Sequence, residues 1–180
     1  SNAAAEGIAA DLAGAVAVAH EWVGVPGDPD AALVERTLAG FATNPNVAAV
    51  LVVGVSGEDE GLAARIAACD QRLEAVTMAA HGGTAGTVEA GRALAERLVA
   101  ESATAEREPM SVAELVVGLE CGGSDALSGI TANPALGIAS DRLVGEGATT
   151  MLSEVAELVG AEEILAARAV SPEVGRRMVQ

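Results

Sequence analysis

Apolar residues in this chain fall into two alternating kinds of run, short continuous stretches and longer stretches with helical spacing. Val47–Val55 is continuous and rich in valine, the pattern of a strand buried on both faces. Ala15–Ala19, Ala75–Ala79, Glu114–Leu119 and Ala148–Leu152 read as four further strands. Between and around them the spacing predicts helices over 4–13, 30–42, 59–69, 86–101, 134–145, 161–169 and 172–179. In the second of these, Ala31, Val34, Leu38 and Phe41 share one stripe. Asp28-Pro29 reads as a helix start, with Asp as N-cap and Pro at the first helical position. Asn44-Pro45-Asn46 breaks that helix, and Gly145 and Gly147 stop a later one. Strands alternating with helices predict an α/β fold, a Rossmann-like parallel sheet with helices on both faces.

Ser1-Asn2-Ala3 reads as the remnant an expression vector leaves, and no Met follows it, so the chain is expected to be an excised piece of something longer. A first α/β unit then covers 4–104. The polar stretch Ala103–Ser111 reads as a linker, and a second α/β unit covers 105–180, the two packing as one globule.

Composition narrows the chemistry. Of 180 residues 51% are apolar but only 1% aromatic, so the core must be Ala, Val, Leu and Ile packed closely. Ten arginines and no lysine stand against 26 acids, for a net charge of −16. That field repels phosphate backbones, and stacking has almost no rings to use, so nucleic acid is not an expected partner. Without lysine there is no Schiff base, and without tyrosine no phenolic acid. Cys69 and Cys121 make no disulfide framework. The longest apolar run is too short to cross a bilayer and no signal peptide is visible, which predicts a soluble cytoplasmic protein without a membrane partner.

Polar groups recur just past each predicted strand: His20, Ser56 and Glu58, His81, Cys121 with Ser124 and Asp125, and Ser153 with Glu154. If the strands are parallel, all emerge at one edge of one sheet, where open α/β folds build ligand sites. The densest such place is Gly118–Gly137, where five glycines and one proline surround Cys121, Ser124-Asp125, Thr131 and Asn133. Gly82-Gly83-Thr84 before a helix either holds an anion on backbone N–H groups or is a plain helix start capped by Thr84. His20 and His81 are the only imidazoles, each a base or a structural residue. Cys121 reads as metal ligand, nucleophile or small core residue, and no second Cys stands at zinc spacing from it. Ser124-Asp125 and Asn133 suit a hydroxylated substrate or a mixed-ligand metal site. There is no Walker A motif, no full GxGxxG and no GxSxG elbow.

With these residues in view the chain resembles the altronate/galactarate dehydratase family of sugar-acid lyases. The resemblance rests on GLECGGSDALSGITANPALGIASDRLV (118–144) and TTMLSE (149–154). It extends to LVERTLAGFATNPNVAAVLVVG (33–54), GGT (82–84) and AVSPEVG (169–175). It implies a metal-dependent hydro-lyase, with Fe²⁺ or else Mn²⁺ or Mg²⁺ and no organic cofactor, that converts a hexonic or hexaric acid to a 3-deoxy-2-keto acid. Carried over residue by residue, it implies Ser124 and Asp125 as catalytic groups and Cys121 and Glu154 as metal ligands; His20 and His81, the two imidazoles past predicted strands, complete the expected catalytic set. Gly82, Gly83, Thr84, Gly122, Gly123, Thr131, Asn133 and Ser153 would contact substrate. The implied partners are a small sugar acid and either further copies of the chain or a separate subunit. Three places depart from the family pattern: His20-Glu21-Trp22-Val23-Gly24 lacks a Cys, Ser56-Gly57-Glu58 stands where Gly-Cys-Glu is usual, and Ala79-Ala80-His81 precedes the GGT in place of a Gln and an acid. The departures raise an alternative, a non-catalytic relative that binds a sugar acid or stabilises a partner subunit.

Overall fold

The computed structural model describes residues 1–21, 28–57, 60–123 and 125–179. The chain divides into two units, Ser1–Arg107 and Glu108–Gln180. Both are α/β with parallel strands, so the predicted class is right. Among the described residues the strands form two separate two-stranded sheets. They do not form one five-stranded layer.

In the first unit, β1 (Val50–Gly54) pairs in parallel with β2 (Leu73–Thr77), Val50 opposite Leu73 and Gly54 opposite Thr77. Among the described residues four helices belong to it: α1 (Asn2–Ala9), α2 (Ala31–Ala42), α3 (Glu60–Ala67) and α4 (Thr84–Ser102). Side chains alternate across a strand, and each face of this sheet has its own core. Leu51, Val53 and Val76 pack with Ile8 of α1 and Ala95 of α4. Val50, Val52 and Leu73 pack on the other side with Ala39 and Ala42 of α2 and Ile66 of α3. Both faces are thus covered, as parallel sheets require.

Several boundaries differ from the sequence reading. Ala15–Ala19 is not a strand: no ladder forms there, and Val16 and Val18 point to solvent, 86% and 52% exposed. An apolar run that neither buries its valines nor meets a partner strand has nothing to hold it in a sheet. β1 begins at Val50 because Val47 N–H is taken by the Asn44 carbonyl in a turn. β2 lies two residues earlier than expected, since Met78–His81 turn away toward α4. Asp28 does not cap α2. Its carboxylate accepts from the Asp30 N–H (2.9 Å), closing a turn that contains Pro29 before the helix starts at Ala31.

The second unit opens with a one-turn 3₁₀ segment, Val112–Glu114, closed by reciprocal Ser111 and Glu114 bonds in a capping box. β3 (Val116–Leu119) then pairs in parallel with β4 (Thr149–Leu152), Val116 opposite Thr149 and Leu119 opposite Leu152. The crossover is α5 (Ala132–Gly145), which packs on β4. Ser140 of α5 and Thr150 of β4 share a hydroxyl hydrogen bond of 2.9 Å. Two short helices, α6 (Glu162–Ala167) and α7 (Pro172–Met178), pack on each other at the end of the chain. No helix among the described residues is long and apolar enough to cross a membrane.

Candidate functional site

In parallel strands every carboxyl end points the same way, so the register of β3 and β4 decides which downstream residues meet. Leu119 stands opposite Leu152, and the pairing carries on past both strands. The Ser153 N–H and hydroxyl both donate to the Leu119 carbonyl, at 3.1 and 2.9 Å. One residue further, the Cys121 N–H donates to Glu154 Oε2 at 2.6 Å. Cys121 and Glu154, 33 residues apart in the chain, are thereby fixed side by side.

After β4 the chain makes a 3₁₀ turn, Val155–Leu158, which brings Glu157 back over Glu154. The Cys121 thiol and the carboxylates of Glu154 and Glu157 then have ligand atoms all within 4.8 Å of one another. Among the described residues no arginine or histidine forms an ion pair with either glutamate; the four ion pairs found all lie in the first unit. One thiol and two carboxylates without a counter-charge form a donor set with the chemistry of a cation site. Ligand atoms about 2.0–2.3 Å from an ion stand roughly 3–4 Å apart, a spacing within reach of small side-chain rotations here. The thiolate suits Fe²⁺ or Zn²⁺ and the carboxylates suit harder ions as well. Glu157 was not among the candidates. The signal that could have found it is its i, i+3 spacing from Glu154, which aligns two side chains on one helical turn.

The rest of the Gly118–Gly137 turn is organised by Asp125. Its Oδ1 accepts from the Leu127 N–H (2.7 Å) and the Ser128 N–H (2.9 Å), and the Ser128 hydroxyl donates back to the Asp125 carbonyl. The Asp125 side chain therefore holds the 3₁₀ turn Ser128–Ile130, a role local to the loop. Thr131 precedes α5 and its hydroxyl donates to the Leu127 carbonyl at 2.8 Å. Asn133 lies exposed in the first turn of α5, one residue before Pro134, whose missing N–H falls among the unpaired donors of a helix start. Gly122 and Gly123 are exposed, with open space where a side chain would stand. Ser124 lies outside the described residues.

In the first unit, Gly83 rather than Thr84 is the N-cap of α4, and no side chain caps it. Gly82 and Gly83 both have positive φ (68° and 106°), a conformation that favours glycine. The Gly83 N–H returns to the Met78 carbonyl, and the Gly83 carbonyl receives both the N–H and the hydroxyl of buried Thr87. This turn lays the His81 backbone on the helix: a Cβ on Gly86 would stand 2.0 Å from the His81 carbonyl oxygen. His81 itself is exposed, four residues beyond β2. A cleft of about 140 Å³ lies at the carboxyl ends of β1 and β2, lined by Gly54, Ser56, Gly57, Ala63 and Thr77 among others. His20 is half-buried, and it does not follow a strand; its carbonyl accepts from Asn2 Nδ2. Trp22, Val23, Gly24 and Glu58 lie outside the described residues. Of the groups expected past strands, Ser56 and His81 follow β1 and β2, Cys121, Ser153 and Glu154 follow β3 and β4, and His20 follows no strand.

Residues 1–103 match the family model described as D-galactarate dehydratase/Altronate hydrolase, second domain. Residues 112–180 match the one described as D-galactarate/Altronate dehydratase, C-terminal. The chain is 37% identical over 178 residues to the (2R)-sulfolactate sulfo-lyase subunit beta of Chromohalobacter salexigens, a match covering 98% of this chain and 46% of that protein. It is 40% identical to the altronate dehydratase of Bacillus subtilis, covering 81% of this chain and 29% of the relative. With the galactarate dehydratase (L-threo-forming) of Escherichia coli the identity is 39%, over 84% of this chain and 31% of the relative. The chain thus spans less than half the length of these curated relatives. Two matched domains in consecutive order, meeting where the two units divide, place this chain in the D-galactarate/altronate dehydratase family.

Proposed function

We propose that the chain supplies part of the active site of a metal-dependent sugar-acid dehydratase, with Cys121, Glu154 and Glu157 holding a divalent cation, Fe²⁺ being one ion that the donor set suits. The observation that carries this reading is the convergence of those three side chains at the carboxyl ends of β3 and β4. A cation bound there supplies Lewis-acid polarisation of an oxygen ligand. The protein's part is to keep the ligands in place. Strand register sets Cys121 against Glu154, and the Cys121 N–H orients the Glu154 carboxylate. Loss of water from a hydroxy acid also needs a base for the proton beside the carboxylate and donors for the negative charge that develops.

The test is metal binding first and turnover second. Titration of the chain with Fe²⁺ under anaerobic conditions, and separately with Mn²⁺, Mg²⁺ and Zn²⁺, should show one site whose affinity falls about 10–100-fold or more in Cys121→Ser and in Glu157→Gln. Metal-loaded chain, supplemented with the remaining parts of a relative, is then assayed for 2-keto acid from altronate and galactarate. Unchanged affinity in both variants removes the site, and no turnover in the supplemented enzyme removes the dehydratase reading. A second reading, that the chain stabilises a partner subunit, is favoured by the relative named as a subunit beta. Stable complex formation without turnover would select it.

A further inference from the structure

The two sheets of this chain are built alike and finished differently. In both, a helical crossover joins two parallel strands, α3 in the first unit and α5 in the second. The first sheet has helices on both faces. In the second, Thr150 is tied to Ser140 of α5, so α5 lies on the face where Val117, Leu119 and Thr150 are half-buried; Leu152, at the end of that face, is 58% exposed. By strand alternation the opposite face carries Val116, Gly118, Thr149 and Met151. All four are exposed, Val116 at 61% and Met151 at 56%. A Cβ on Gly118 would meet nothing within 4 Å. This face bears no charge in a chain of net charge −16.

Parallel sheets occur almost only with both faces covered, because their crossovers lay helices on each side. An uncharged face with a glycine floor between a valine and a methionine fits the apolar stripe of a helix at close approach. The polypeptides of this family have other segments to offer: the matched region is 46% of the sulfo-lyase subunit and 29–31% of the two dehydratases. We propose that the Val116/Gly118/Thr149/Met151 face is a docking seat for an amphipathic helix from the part of the dehydratase polypeptide that this chain does not match. Family membership underlies the proposal, and the metal and the dehydration chemistry do not enter it.

The experiment co-expresses the full chain with the unmatched portions of the Bacillus subtilis altronate dehydratase, and in parallel joins the two in a single fusion. Oxidation of Met151 by dilute peroxide is followed by mass spectrometry against Met110, which is 60% exposed and not on the sheet. Docking should slow Met151 oxidation roughly tenfold relative to Met110, in the complex and in the fusion alike, as the thioether leaves solvent. Met151→Asp should abolish the co-expressed complex, while Val170→Asp, at a site 96% exposed, leaves it intact. Undiminished Met151 oxidation in the fusion overturns the proposal, whatever the solubility of the separate segment. Protection of Met151 in the chain alone, rising with concentration alongside dimer formation, also overturns it by assigning the face to a second copy. A protected Met151 without turnover would leave the docking seat standing and count against the dehydratase reading alone.

Discussion

Replacement of Gly86 by alanine tests the packing that presents His81 to solvent. Gly86 lies in the first turn of α4, where alanine is intrinsically favoured over glycine by about 0.8–1.0 kcal/mol. Against that gain stands a backbone collision, because the new Cβ would lie 2.0 Å from the His81 carbonyl oxygen. Real Cβ contacts essentially never fall under 3.0 Å, so one backbone segment must move by at least 3.0 − 2.0 = 1.0 Å. Neither partner is a flexible side chain. The His81 carbonyl belongs to a turn pinned by the Gly83 N–H to Met78 bond and by the two Thr87 bonds to the Gly83 carbonyl. Overpacking of this kind costs about 1–3 kcal/mol, which leaves a net loss of about 0–2 kcal/mol. Gly40 in α2 is the matched reference, since a Cβ there meets nothing within 4 Å and Gly40→Ala should be neutral or stabilising by up to about 1 kcal/mol. Urea denaturation followed by circular dichroism at fixed protein concentration reads both variants. A Gly86→Ala protein at least as stable as Gly40→Ala would refute the close approach of His81 to the helix.

Three other outcomes follow from particular contacts. Ile66, 1% exposed among Ala39, Ala42 and Val52, should lose about 2–5 kcal/mol on truncation to alanine and about 0.5–1.5 on truncation to valine, measured by the same denaturation. Asp125→Asn keeps an acceptor for the Leu127 and Ser128 N–H groups and should retain the loop, whereas Asp125→Ala should speed amide exchange at both; equal exchange in the two variants would show that the carboxylate does not hold the turn. Glu162 accepts from the Gly160 N–H at 2.8 Å, and that bond first, then its own N–H, holds its carboxyl below the usual range. A depressed folded-state value means the stabilisation is present above the ordinary glutamate value and is lost as pH falls through the folded one. A carboxyl titration by NMR should place the Glu162 midpoint below that of the same glutamate in an unfolded peptide; a midpoint at or above it contradicts the bond.

Much of the fold is legible in runs of a few residues. The continuous apolar run 47–55 announces a strand buried on both sides, and its part 50–54 is β1, with Leu51 and Val53 facing one core and Val50 and Val52 the other. Helix ends were within reach where a local bond decides them, as at Ser171, whose hydroxyl accepts from the Val174 N–H at the start of α7. Ala15–Ala19 shows the limit. Its alternating alanines and valines have strand propensity, but a strand exists only where another backbone answers it. Cys121 and Glu154 were legible as individual candidates through the family pattern, while Glu157 was not, because its pairing with Cys121 arises from a turn after a strand.

Local chemistry in the sequence determined the parallel α/β class, the family and the glycine-rich turn, since propensity and capping act over a few residues. Only the tertiary structure decided that the strands form two sheets, that Asp125 is occupied with its own loop, and that a thiol and two carboxylates meet past β3 and β4. The physical reason is register. Placing Leu119 opposite Leu152 brings together groups 33 residues apart, and no local preference specifies that pairing.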